Sequence, residues 1–227
     1  DVFINIVIVS AFLLLVGQIF KNNTFDHKQS LKTQLTTGLV FGALGLLLML
    51  YTIKVTDTVI IDLRNLAIIC AAILGGPVSA IIAGIAQAVF RVAYFGVNNA
   101  SVTAFFVQIV LGIFCALIFR THLSRIKKFV FMFLTSMIAS NFALIYLIKD
   151  SAILFKTLAF YWAAYLAGAA LALAAVEYII SVNETFKSME YNKIMADNLQ
   201  DMLSTHEPDG TVITTSYSSI NLLGLTP

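Results

Sequence analysis

The chain has 227 residues, 59% of them hydrophobic and 11% charged, with a mean hydropathy of +0.92, against roughly 45–50% apolar and about 25% charged in soluble domains. That balance excludes a soluble fold, and continuous rather than alternating apolar runs exclude a membrane β-barrel. What remains is an all-α polytopic membrane protein, because helices satisfy their own backbone in lipid. The net charge of +2 suggests no nucleic-acid partner. Cys70 and Cys115 lie inside apolar runs without His or carboxylate at ligand spacing, so neither a disulfide framework, a metal nor a cofactor is expected.

In chain order, seven apolar stretches stand out: 2–20, 35–53, 59–74, 77–95, 103–119, 129–148 and 153–180. Crossing roughly 30 Å of hydrocarbon takes about 20 apolar residues. The stretch 59–74 is short and opens on Asp62 and Arg64. If it crosses, Lys21, Lys28 and Lys32 share a side with Arg120, Arg125, Lys127, Lys128 and the C-terminal tail, leaving Lys54 and Lys149 opposite. Lys and Arg accumulate on cytoplasmic loops, so the pattern predicts a bundle of six to seven transmembrane helices with the N-terminus outside and the C-terminus in the cytoplasm.

Beyond Glu177 the last helix turns polar and continues into water. Ile179, Val182, Phe186, Met189, Ala196 and Leu203 follow a heptad seam broken by Lys193 and Gln200, as in a parallel two-stranded coiled coil; a single amphipathic helix on the membrane surface fits the same residues. After Ser204, Pro208, Asp209 and Gly210 predict a tight turn feeding a strand. The expected organisation is an N-terminal helix and basic loop over 1–30, a membrane domain over 31–180, a stalk over 181–204 and the start of a soluble domain over 205–227.

Ionisable groups inside membrane segments are costly and mark functional sites. Here they are Asp62, Arg64, Arg91 and, at the membrane's edge, Glu177, with Gln87, Gln108 and Asn141 as neutral companions. Counting about 1.5 Å per residue from the turn at Gly75, Gly76 and Pro77 places Arg91 about 21 Å and Asp62 about 20 Å along neighbouring helices. Asn65 and Gln87 fall at about 15 Å, with Arg64 about 1.5 Å above Asn65. Asp62, Arg64, Asn65, Gln87, Arg91 and Gln108 are therefore candidate ligand-binding residues in an outward-facing pocket. The same positions fit a structural Asp62–Arg91 ion pair, with Arg64 snorkelling to the headgroups. Gly75, Gly76 and Pro77 read as an architectural turn, glycine for a tight reversal and proline for the first turn of the next helix. No nucleophile–base pair, paired carboxylates or P-loop is present, so no catalytic residues are expected.

Asp62-Leu63-Arg64, then Gly75-Gly76-Pro77, then Arg91 with Phe95-Gly96 resembles the signature of five-transmembrane receptors of the LytS–YhcK type. The resemblance covers roughly 32–180, and Gly96-Val97 stands where that family usually has Gly-Gly. It implies the sensory input of a bacterial histidine kinase or diguanylate cyclase in the inner cell membrane. The tail, with Asp209-Gly210 before a strand and Leu222-Leu223-Gly224-Leu225-Thr226-Pro227 after it, is similar to the start of a PAS domain. A more distant likeness joins 62–91 to vitamin-binding S-components of transporters, whose ligands sit in an outward pocket among six helices. The expected partners are the lipid bilayer, a second copy in a parallel homodimer and a small-molecule ligand. A transporter subunit is the rival reading, disfavoured by the stalk; a bare anchor would not need polar groups at matched depth.

Overall fold

Between its polar loops the sequence winds into helices whose ends are set by local hydrogen bonds. The computed structural model describes residues 2–19, 29–198 and 204–215. Among these are α1 (Val2–Ile19), α2 (Leu31–Leu50), α3 (Arg64–Gly75), α4 (Pro77–Phe95), α5 (Asn99–Phe119), α6 (Arg125–Leu147) and α7 (Ser151–Asn198). Ser30 Oγ accepts from the Thr33 N–H at the start of α2, and Asn98 Oδ1 from the Ser101 N–H at the start of α5. Asp150 Oδ1 takes the N–H groups of Ala152 and Ile153 at the start of α7. Each thereby satisfies donors that a helix N-terminus leaves open.

Two compact units divide the chain, Asp1–Ile179 and Ile180–Pro227. In the first, α2, α4, α5, α6 and the apolar part of α7 are long and apolar enough to cross a membrane, while the apolar helices α1 and α3 are shorter. The protein is a multi-pass, all-α membrane protein.

The stretch 59–74 does not form one continuous apolar helix. It divides into the strand β2 (Ile60–Ile61), the link Asp62-Leu63 and the 12-residue α3. At about 1.5 Å per residue α3 covers only about 18 Å. The strand β1 (Ile53–Lys54) pairs antiparallel with β2, Ile53 opposite Ile61 and Lys54 opposite Ile60. Every residue of α3 is buried, and the helix packs against α2, α4, α5 and α6.

Glycine lets these helices approach closely. A Cβ at Gly84 of α4 would sit 2.7 Å from the carbonyl oxygen of Gln108, and one at Gly112 of α5 would sit 2.9 Å from that of Ala80. Such small-residue contacts substitute in lipid for the missing hydrophobic drive. The reversal between α3 and α4 behaves as expected: Gly76 adopts φ +85°, open to glycine, and Pro77 takes the first helical position. Gln34 of α2 braces the turn, its Oε1 accepting from the Val78 N–H at 3.2 Å while Ser79 Oγ donates to the Gln34 carbonyl at 2.6 Å. Gln29 Nε2 donates to the carbonyl of Leu74 at 2.8 Å.

The second unit begins within α7. Its strands β3 (Ser204–His206) and β4 (Val212–Thr215) pair antiparallel, Ser204 opposite Thr215 and Thr205 opposite Thr214. The turn expected at Pro208, Asp209 and Gly210 joins them: the Gly210 N–H donates to the Glu207 carbonyl, and Asp209 Oδ1 accepts from the Thr211 N–H at 2.9 Å. That bond holds the Asp209 carboxyl below its ordinary pKa. Leu203 of the seam and the Leu222–Pro227 motif lie outside the described residues, as does the side chain of Ala196.

Candidate functional site

Asp62 stands two positions before Arg64, the first residue of α3, so its short side chain can fold back on the first turn. Its Oδ1 accepts from the backbone N–H of Arg64 at 3.0 Å and from Arg64 Nε at 2.6 Å, while Oδ2 accepts from Arg64 Nη2 at 2.5 Å. This local bidentate pair replaces the Asp62–Arg91 pair that equal depth suggested, because the two-residue link already points carboxylate and guanidinium at each other. Nor does Arg64 snorkel. It is 6% exposed, Asp62 8% and Arg91 2%.

Arg91 reaches from α4 toward the hairpin instead. Its Nη2 donates to the Thr58 carbonyl at 3.0 Å, and the guanidinium lies 4.3 Å over the Phe95 ring. Arg91 Nε, Arg91 Nη1 and Arg64 Nη1 are buried without a partner. Both arginines line one cavity of about 90 Å³, together with Asp62. Two guanidinium groups against one carboxylate leave the site with an excess positive charge. Val59, Ile60 and Ile61 of the hairpin, with Ala104, Val107 and Leu144, give it an apolar wall.

Polar hydrogen bonds connect four helices along the cavity. Gln108 Nε2 of α5 donates to Asn65 Oδ1 of α3 at 2.9 Å, and Asn65 Nδ2 donates to Ser140 Oγ of α6 at 3.0 Å. The Tyr161 hydroxyl of α7 donates to the same Ser140 oxygen at 3.0 Å. All four residues line the cavity, and Gln108 Oε1 is buried there without a partner.

Of the six candidates, Asp62, Arg64, Asn65, Arg91 and Gln108 are brought together around this cavity. Gln87 is not among its lining residues. It packs against Gly45 of α2, where any Cβ would collide with its amide, and both of its polar atoms are enclosed without partners. Asn141 accepts from Trp162 Nε1 at 3.0 Å, and its neighbour Ser140 occupies the cavity. Glu177 faces Arg125 at 3.9 Å. Ser140, Tyr161 and the Thr58 carbonyl are site groups that sequence reasoning missed. Hydroxyls inside apolar runs at 140 and 161 are the signal for two of them; a backbone carbonyl carries none.

Hence a cavity rich in unpaired donors lies beneath a hairpin, inside a bundle with five span-length helices. The family model described as 5TMR of 5TMR-LYT matches residues 17–180. The chain belongs to this five-transmembrane receptor family. Every cavity residue falls within the matched receptor domain. The chain is also 24% identical over 191 residues to the uncharacterized protein YhcK of Bacillus subtilis (strain 168), an alignment covering 84% of this chain and 52% of that protein. It thus spans about half the length of this curated relative. No solved structure matches it. Receptor domains of this family are sensor modules of LytS-type signalling proteins, and the domain itself is non-catalytic.

Proposed function

We propose that the 5TMR-LYT domain of this chain binds a small anion in the cavity between the hairpin and α3. The excess of guanidinium over carboxylate, with three buried N–H-bearing atoms left open at Arg64 and Arg91, is the observation that carries this reading. Buried cationic donors are costly unless paired, and an anion entering from outside supplies the pairing. The cavity lies at the hairpin end of the bundle, which the distribution of Lys and Arg assigns to the outer face of the cell membrane. The ligand must favour one of two arrangements of α7, since equal binding to both shifts nothing. The continuation of α7 beyond Glu177 then passes the change to a dimeric stalk and a cytoplasmic PAS-led output, a histidine kinase or a diguanylate cyclase. A transporter subunit has no use for that continuation.

The test is thermal unfolding of the detergent-purified full protein in sodium acetate and in sodium phosphate, each against sodium HEPES, whose bulky sulfonate exceeds a cavity of about 90 Å³, at matched ionic strength. A ligand at about 100 times its Kd stabilises by about 2.7 kcal/mol. One of the two anions should raise the Tm of the wild type, and Arg91→Gln should abolish that rise while remaining folded. A rise of equal size in Arg91→Gln, or no rise with either anion, refutes the assignment.

A further inference from the structure

The hydrogen bonds along the cavity converge on Ser140 from both ends. Asn65 uses both ends of its carboxamide, accepting from Gln108 through Oδ1 and donating to Ser140 through Nδ2. Ser140 Oγ receives that donor and the Tyr161 hydroxyl, which fills both acceptor positions of a serine oxygen. The four side chains are buried and stand on α5, α3, α6 and α7 in turn. At one end Gln108 Oε1 is an unpartnered acceptor on the cavity wall; at the other, Tyr161, which also lines the cavity, belongs to the helix that continues into the second unit. A structural clamp between α6 and α7 already exists one turn away, where Ser136 and Tyr165 share a hydrogen bond and Tyr165 stacks on Phe133 and Tyr161. The Ser140–Tyr161 bond differs from it in being joined to the cavity.

We infer that the Gln108–Asn65–Ser140–Tyr161 chain links the polar state of the cavity to α7, with Tyr161 as the positioning residue on the output side. This rests on the cavity being the sensory site. A group that engages Gln108 Oε1 or displaces the Gln108 amide changes what Asn65 offers to Ser140. Ser140 in turn changes how well it holds the Tyr161 hydroxyl. Because each partner has few alternatives in a buried site, the change is passed on rather than absorbed by water.

Trp162 supplies the reporter, since it follows Tyr161 on α7 and its indole N–H is bonded to Asn141, next to Ser140. The full protein is labelled with 5-fluorotryptophan in lipid nanodiscs, and the Trp162 fluorine resonance is assigned by its loss in Trp162→Phe. No ligand is added; Gln108→Leu is the perturbation at the cavity end. It should shift the Trp162 resonance in the wild-type background, and the shift should vanish in Tyr161→Phe and again in Ser140→Ala, two independent breaks of the chain. Val110→Ala, on the same helix as Gln108 but outside the cavity lining, should leave the resonance in place. Size-exclusion profiles matching the wild type establish that each variant is folded. A Gln108→Leu shift that persists undiminished in both broken backgrounds, or no shift in the wild type, overturns the inference, since coupling between non-touching sites is what the cycle measures. Failure of acetate and phosphate to bind would refute the anion reading without altering this cycle, so the two failures are told apart.

Discussion

Removing the carboxylate of Asp62 tests which arginine is its partner. Asp62→Ala deletes three hydrogen bonds to Arg64, from its backbone N–H, Nε and Nη2, and leaves a guanidinium that is 6% exposed without its counter-ion. Breaking one side of a buried pair costs about 3–5 kcal/mol. At about 2–4 °C per kcal/mol for a domain of this size, the Tm should fall by about 6–20 °C. The double variant Asp62→Ala/Arg64→Ala removes both charges and should recover most of the loss. Asp62→Ala/Arg91→Ala should not, because Arg91 is held by the Thr58 carbonyl and the Phe95 ring rather than by Asp62. Thermal unfolding of the full protein in one detergent, with the wild type and the three variants side by side, measures this. Rescue by Arg91→Ala equal to that by Arg64→Ala would refute the local pairing.

The close approach of α4 and α5 predicts that Gly84→Ala, whose Cβ would stand 2.7 Å from a backbone oxygen, lowers stability by about 1–3 kcal/mol in the same unfolding assay. For topology, an impermeant thiol reagent applied to intact cells should label Asn98→Cys and spare Arg125→Cys; the reverse would invert the proposed orientation. In the stalk, Phe186 and Met189 are 42% and 61% exposed, and Phe186→Cys should cross-link to its mate efficiently while Asn192→Cys, off the seam, should not. The Thr211 N–H keeps the folded Asp209 carboxyl below its usual pKa, so this bond supports the hairpin at pH above the ordinary carboxylate range and is lost as pH falls through the folded value. In an NMR titration Asp209 should protonate at higher pH in Thr211→Pro, which lacks the donor.

Helix positions were legible because apolar runs and their breakers act locally. Pro77 and the Gly96 that follows Phe95 bracket α4 at the limits the sequence proposed, and Gly76 makes the expected reversal. The hairpin was not legible, since Val55, Val59, Ile60 and Ile61 are as apolar as a helical span and two paired residues a side carry little pattern. Depth counting put four of its five residues, Asp62, Arg64, Asn65 and Arg91, around one cavity, yet it fixes height along a helix and not azimuth. Gln87 therefore faces α2 beside Gly45, although it lies one turn from Arg91. The same limit hid the Asp62–Arg64 pair, whose cause is the bend at Leu63 rather than the spacing of two helices. Ser140 and Tyr161 escaped because a hydroxyl in an apolar run costs too little to stand out from packing.

The hairpin also bears on how such receptors diversify. When a cavity wall is helical, inserting or deleting one residue turns every later side chain by about 100° and scrambles the packing beyond it. Here residues 53–61 contribute the wall through Val59, Ile60 and Ile61, and their ends are pinned where Ile53 meets Ile61. A change of length in the turn between the strands leaves the helical phases of α2 and α3 untouched. Edits to a few residues of this loop thus reshape the wall of the cavity, while the glycine-packed bundle beneath is inherited whole.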